Sequence, residues 1–216
     1  MTLHRRATLS LLAGGLALPL LPAGMAQAAP TFPGAASATL DLYQGGKSIG
    51  QQTYTITGSQ SAPTVRSVAA FSGRVLGFRV KYDLETNEQW QGGKLQALNS
   101  KGQLRGQRFA MSAEKKGTAL SVSDEKGRTY FANSGILPTS YWMSNFIEQR
   151  EVLDTQRGGL LRLNPKALGR GTFAGRDVRG WDLGGDLPLT IYYDRSGTWS
   201  GMSFSVFGAD FEYRRV

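Results

Sequence analysis

Val75-Leu-Gly-Phe-Arg-Val-Lys-Tyr-Asp-Leu-Glu-Thr-Asn-Glu-Gln-Trp90 decides the fold class. Phe78, Val80, Tyr82 and Leu84 share one parity, while Arg79, Lys81, Asp83 and Glu85 share the other. That period of two belongs to a strand with one apolar and one wet face. The same parity carries Thr86, Glu88 and Trp90 onto the apolar face. Glu88 therefore points inward as a carboxylate unless a bulge near Asn87 resets the register, and both arrangements stay open at this level.

Outward from this stretch the chain repeats strand and turn. Thr39–Tyr43 and Ser48–Ile56 flank Gly45-Gly46 as a first hairpin, and Thr64–Ser72 joins the deciding strand around Gly73. Turns are marked at Gly92-Gly93, Asn99–Gly102, Glu114–Gly117 and Asp124–Gly127. Near the C-terminus, Leu187, Leu189, Ile191 and Tyr193 are in phase, as are Met202, Phe204 and Val206 across the Arg195–Gly197 turn. The spacing predicts about eleven or twelve antiparallel strands, too many for one flat sheet, so the expected fold is mainly β, a curved sheet or (half-)barrel.

One stretch breaks the alternation. In Leu137–Arg150, Trp142 and Phe146 lie four apart after Pro138, with Thr139 or Ser140 able to cap. This predicts one short helix, packed in the sheet as core or over it as a lid.

The 216 residues carry a net charge of +9, 28 Gly, one His and no Cys. His4-Arg5-Arg6, the apolar run Ala7–Leu21 and Ala26-Gln-Ala28 follow the plan of a cleaved signal peptide. The expected organisation is residues 1–28 as leader and 29–216 as a single barrel-like domain. That gives a soluble bacterial protein, periplasmic or secreted, its Arg5-Arg6 pair resembling a twin-arginine leader. No later segment approaches the length of a membrane-spanning helix.

Loss of the leader removes the one His. Without His or Cys there is no disulfide, no Ser-His-Asp or Cys-His catalysis, and no zinc, haem or iron–sulfur site of the usual ligands. No cofactor and no metal site are expected. Lys and Arg are scattered rather than gathered in a stripe, which does not describe a nucleic-acid reader; an anionic envelope surface is the remaining partner for the positive charge.

Ser140-Tyr-Trp142, Leu153-Asp-Thr-Gln156, Leu187-x-Leu189, Tyr192-Tyr-Asp194 with Gly197, and Glu88-x-Trp90 together resemble an exported bacterial family of unknown function. The resemblance implies a curved antiparallel sheet around a helix, similar to the unclosed barrels of periplasmic lipoprotein carriers, and implies no activity.

Three functional readings follow. The first is a non-enzymatic binding module for a lipid or other amphipathic small molecule, with Tyr82, Glu88, Trp90, Tyr141, Trp142, Asn145 and Phe146 as candidate ligand-binding residues. The second is a structural protein with a self-filled core that meets the anionic envelope. The third is a hydrolase working through carboxylates, with Glu88, Asp154 and Asp194 as the candidates.

Overall fold

The computed structural model describes residues 36–75 and 77–216, so the leader expected over 1–28 lies outside the described residues. An antiparallel meander comes first: β1 (Ala36–Gln44), β2 (Lys47–Ser59), β3 (Ala62–Val75), β4 (Phe78–Gln91), β5 (Lys94–Leu104), β6 (Gln107–Lys116), β7 (Ala119–Ser123) and β8 (Thr129–Asn133). The chain then leaves the sheet for three short strands, β9 (Leu137–Pro138), β10 (Glu151–Leu153) and β11 (Leu160–Arg162). It returns as β12 (Lys166–Phe173), β13 (Arg176–Asp182), β14 (Leu189–Tyr193), β15 (Trp199–Val206) and β16 (Ala209–Arg215).

The last strand pairs with the first, Leu40 opposite Arg215 and Gln44 opposite Phe211. The two meanders thereby form one thirteen-stranded sheet in the order β12-β13-β14-β15-β16-β1-β2-β3-β4-β5-β6-β7-β8. Its free edges among the described residues are β8 and β12, so the curved sheet is an unclosed barrel. Strands β9, β10 and β11 form a separate small sheet in which β10 runs parallel to β9 and antiparallel to β11.

The sheet holds more strands than the turn signals indicate, because β12 is exposed along nearly its whole length. A strand that buries neither face carries no apolar alternation, and its Lys-Ala-Leu-Gly-Arg-Gly-Thr-Phe sequence shows none. Gly73 does not turn the chain: it stays in the ladder opposite Val80, and the β3–β4 pairing runs on to Val75 opposite Phe78. Phe78, grouped with the inward residues by parity, is 66% exposed because it sits past the end of the core.

The expected helix is a single 3-10 turn, Ser144–Glu148. No side chain caps it, its first turn holds no acid, and Tyr141 just before it has φ 64°, outside the helical region. A segment this short cannot recover the cost of helix nucleation. The spacing of Trp142 and Phe146 instead buries both rings through tight turns, with Ser140 N–H bonded to the Pro138 carbonyl and Trp142 N–H to that of Ser140.

The register question at Glu88 resolves without a slip in β4. Glu88 lies opposite Leu98, Gln89 opposite Ala97, and Trp90 opposite Leu95, so the extra residue, Gln96, is accommodated on β5. Thr86, Glu88 and Trp90 all stay buried.

A second irregularity bends β15. Tyr192 faces Gly201 and Tyr193 faces Trp199, leaving Ser200 as the bulge. A Cβ on Gly201 would stand 2.1 Å from the Tyr213 carbonyl oxygen and 2.6 Å from the Phe173 ring, at φ 153°. Among the described residues no helix is long and apolar enough to cross a membrane.

Gly201→Ala is expected to cost about 1–3 kcal/mol by forcing β15 from β16, a fall in Tm of roughly 2–12 °C for a domain of this size. A thermal melt followed by circular dichroism measures it, and an unchanged Tm would mean that the close approach relaxes freely.

Candidate functional site

The segment between β8 and β12 lies against the inner face of the sheet. Tyr193 on β14 donates its hydroxyl to the carbonyls of Tyr141, at 2.8 Å, and Met143, at 3.0 Å. Tyr130 on β8 donates to the Gly158 carbonyl at 2.7 Å, and Ser100 on β5 donates to the Thr155 carbonyl. Trp142, Met143, Phe146, Val152 and Leu153 join one continuous core with Leu40, Leu42, Leu95, Leu98 and Trp199 of the sheet. The segment is therefore a plug.

Glu88 joins plug to wall. Its Oε2 accepts the indole N–H of Trp90 at 2.9 Å and that of Trp142 at 3.1 Å, and the two rings meet edge to face at 5.8 Å between centroids. The carboxyl is fully buried, and Oε1 has no hydrogen-bond partner of ordinary geometry. Burial pushes its pKa up, opposed by Ser140, Trp90 and Trp142, whose polar hydrogens favour the charged form.

Beside the plug an apolar cavity of about 310 Å³ remains between the two halves of the sheet. One wall is Ala69 and Phe71 of β3, Val80, Tyr82 and Leu84 of β4, and Leu104 of β5. The other is Leu189 of β14, Met202, Phe204 and Val206 of β15, and Phe211 and Tyr213 of β16. Gln52, Thr139, Tyr141, Thr155 and Gln156 supply the polar part of the lining, and no Lys, Arg, Asp or Glu takes part. The Thr139 and Thr155 hydroxyls bond each other at 3.0 Å, and Gln52 donates to Ser67 at 3.0 Å.

The hydroxyls of Tyr82, Tyr141 and Tyr213 have no hydrogen-bond partner among the described residues, and they are near neighbours. Burial raises the pKa of all three, and for Tyr82 the proximity of Tyr213 and Tyr141 adds to the rise. All three phenols are neutral at ordinary pH. The cavity thus presents uncharged hydroxyl groups within an apolar lining.

A larger depression, about 720 Å³, runs along the outer face past Asp83, Glu85, Lys101 and Arg108. Glu85 there is paired with Arg66 at 3.0 Å and Lys101 at 3.3 Å. It is an open groove on the wet side of the sheet, whereas the inner cavity has the apolar enclosure that small-molecule sites share.

Of the seven candidate residues, Tyr82 and Tyr141 line the cavity. Glu88, Trp90, Trp142 and Phe146 are buried in the plug contact instead, with Phe146 against the Tyr141 ring at 5.2 Å. Asn145 is half-buried on the 3-10 turn. Tyr213 escaped the sequence reading, although Phe211 and Tyr213 alternate with Glu212 and Arg214 there.

The three carboxylates considered for hydrolysis have separate structural tasks. Asp194 Oδ1 accepts the backbone N–H groups of Ser196 and Thr198, both at 2.9 Å, and so ties the turn between β14 and β15. Asp154 Oδ1 accepts Gln156 N–H at 2.8 Å in the turn before β11, its pKa raised by burial against those bonds. Glu88 holds the two indoles.

Residues 41–216 match a family described as "Domain of unknown function (DUF6134)". A comparison with curated proteins finds no match. Among solved structures, the fold is similar to a beta-barrel-like protein of the domain of unknown function DUF1849 from Brucella abortus, with TM-score 0.58 and 13% identity. The likeness covers 86% of this chain and 97% of that one, and at such identity it concerns the fold alone.

A carboxyl with a raised pKa favours the folded state while protonated, and that contribution is lost as pH rises through the folded value. Glu88→Gln, still able to accept an indole N–H, is expected to match or exceed the parent's stability near neutral pH and to flatten its decline above about pH 4. Asp154, shifted the same way, leaves some slope behind. Glu88→Ala strands two buried donors and is expected to lose about 1–3 kcal/mol. Denaturant unfolding at several pH values checks all three statements; a Gln variant weaker than the parent at neutral pH would show that the charged form is the stabilising one.

Proposed function

The chain belongs to the DUF6134 family, whose description assigns no activity, and we propose that it is an exported, non-enzymatic binding module that holds one amphipathic small molecule in the inner cavity. The supporting observation is the cavity's composition: apolar walls from both halves of the sheet and three neutral tyrosines without hydrogen-bond partners among the described residues. Its volume of about 310 Å³ is at the small end of ligand sites, which run from roughly 300 to 1,000 Å³. That suits a single-chain or compact amphiphile better than a two-chain phospholipid.

The lining also favours an orientation. Leu104 and Val206 close β5 and β15 at one end of the cavity, while Thr139, Tyr141, Thr155 and Gln156 of the plug bound it elsewhere. The ligand's polar end is directed to the phenols and the plug, its apolar body to the strand ends. Since no cation lines the cavity, that polar end is uncharged, a hydroxyl or carbonyl group. A phosphate brought inside would lose its hydration with no compensating charge.

Native mass spectrometry of protein gently purified from its own cells is expected to show a discrete extra mass that solvent extraction removes. With extracted protein, a medium-chain fatty alcohol is expected to bind, and Ala69→Phe, which fills the cavity, to weaken binding at least tenfold, about 1.4 kcal/mol. Tyr82→Phe with Tyr213→Phe is expected to weaken the alcohol but not the matching alkane. A bare polypeptide mass in repeated preparations, together with no alcohol binding, would reject the proposal.

A further inference from the structure

The strand registers place four hairpin turns at one end of the sheet. Gln44 pairs with both Lys47 and Phe211, which brings the β1–β2 turn beside the β15–β16 turn. Gly50 opposite Phe71 adds the β3–β4 turn, and Tyr82 opposite Leu104 adds the β5–β6 turn. The cavity reaches the same end, since Leu104 and Val206, each the last residue before one of these turns, also line it.

Two features distinguish this rim. Phe78 is 66% exposed, Phe207 75% and Val206 38%, and two of the three stand at or beside turn tips. Phe207 moreover takes φ 50° in the Phe207-Gly208 turn, where Asn, Asp or Gly usually sits. Arg105 and Ala174 take a similar φ in their own turns, but an aromatic ring left 75% exposed gains little from burial in the fold, which points to a contact outside the chain.

The second feature is charge. Arg105 in its turn and Lys47, Arg74, Arg79 and Arg108 on the strand ends beside the turns are exposed, and none forms an ion pair among the described residues. Of the acids near them, Asp210 accepts from Ser205, Asp83 from Gln103 and Asp186 from the Arg162 N–H, and none of the three pairs with these bases. Basic residues interleaved with exposed aromatics complement a bilayer surface rich in anionic headgroups, where the charges meet lipid phosphates and the rings enter the interface.

We infer that this four-turn rim docks on an anionic lipid bilayer, with Phe78 and Phe207 inserted and the cavity mouth held against the membrane. The docking itself stands on exposure and charge. Its value to a carrier rests on the reading given above: an amphiphile could then pass between bilayer and cavity without crossing water.

The chain has no cysteine, so Phe207→Cys gives a unique site for a polarity-sensitive dye. With the protein as its own cells produce it, vesicles of mixed phosphatidylglycerol and phosphatidylcholine are expected to shift the dye emission to the blue. Pure phosphatidylcholine is expected to do so at least tenfold more weakly, and high salt to reverse the shift. The same dye at Lys94→Cys, in the β4–β5 turn at the opposite end, is expected to remain unshifted.

In co-sedimentation, Arg79→Glu with Arg105→Glu and Arg108→Glu is expected to lower binding to the mixed vesicles at least tenfold. Lys94→Glu with Lys116→Glu, on opposite-end turns, is expected to leave it unchanged. Equal binding to both vesicle types, an equal dye response at both ends, or indifference to the three arginine reversals would overturn the docking surface. Native mass spectrometry of the same variants keeps the two readings apart: a bound amphiphile without vesicle binding rejects this inference alone, and vesicle binding by a ligand-free protein rejects the carrier alone.

Discussion

One carboxylate oxygen accepting two indole N–H groups ties the wall of this protein to its plug. Trp90 comes from the same strand as Glu88 and Trp142 from the inserted segment, so the interaction fixes where the insert sits along the inner face. A curved sheet with free edges at β8 and β12 exposes its concave apolar side unless something covers it. Without cysteine that cover must be held by packing and hydrogen bonds. Tyr193, Tyr130 and Ser100 add to the hold, each donating a hydroxyl from the wall to a plug carbonyl. Backbone groups of an irregular segment need such partners once they are buried.

The plug covers part of the concave face and leaves the rest as a cavity. Trp90, Trp142, Phe146 and Trp199 belong to the filled core, whereas Ala69, Phe71, Tyr82 and Leu104 look across the cavity to Met202, Phe204 and Tyr213. Tyr82, Tyr141 and Tyr213 stand at the boundary. Tyr82 and Tyr213 are buried and Tyr141 is half-buried, and all three line the cavity.

Much of this fold was legible in the sequence, and the failures have physical causes. The alternation through Val80, Tyr82, Thr86, Glu88 and Trp90 survives intact because the irregularity it might have suffered falls on the partner strand at Gln96. Sequence parity cannot say which of two paired strands absorbs a bulge. β12 was hidden because a strand exposed on both faces has no pattern to read. The segment around Trp142 mimicked a helix since two residues four apart can be buried together by tight turns as well as by helical geometry. At the candidate site, the aromatic content was visible but its partition was not. Tyr82 and Tyr141 reach the cavity while Trp90 and Trp142 close on Glu88, a difference set by distant strands meeting in space.

The pairing of β16 with β1 governs the timing of folding. These two strands come from opposite ends of the chain and are neighbours inside the sheet, five strands from one edge and eight from the other. While β16 is still to be synthesised, β1 keeps an unpaired edge and the two meanders remain separate sheets, each with Leu40, Leu42 or Ile191 uncovered. Of the ladders in this sheet the β16–β1 pairing spans the longest stretch of sequence, and so it carries the largest loop-closure cost. The thirteen-stranded sheet is thus complete only once β16 has joined β1, and until then β1 keeps an unpaired edge.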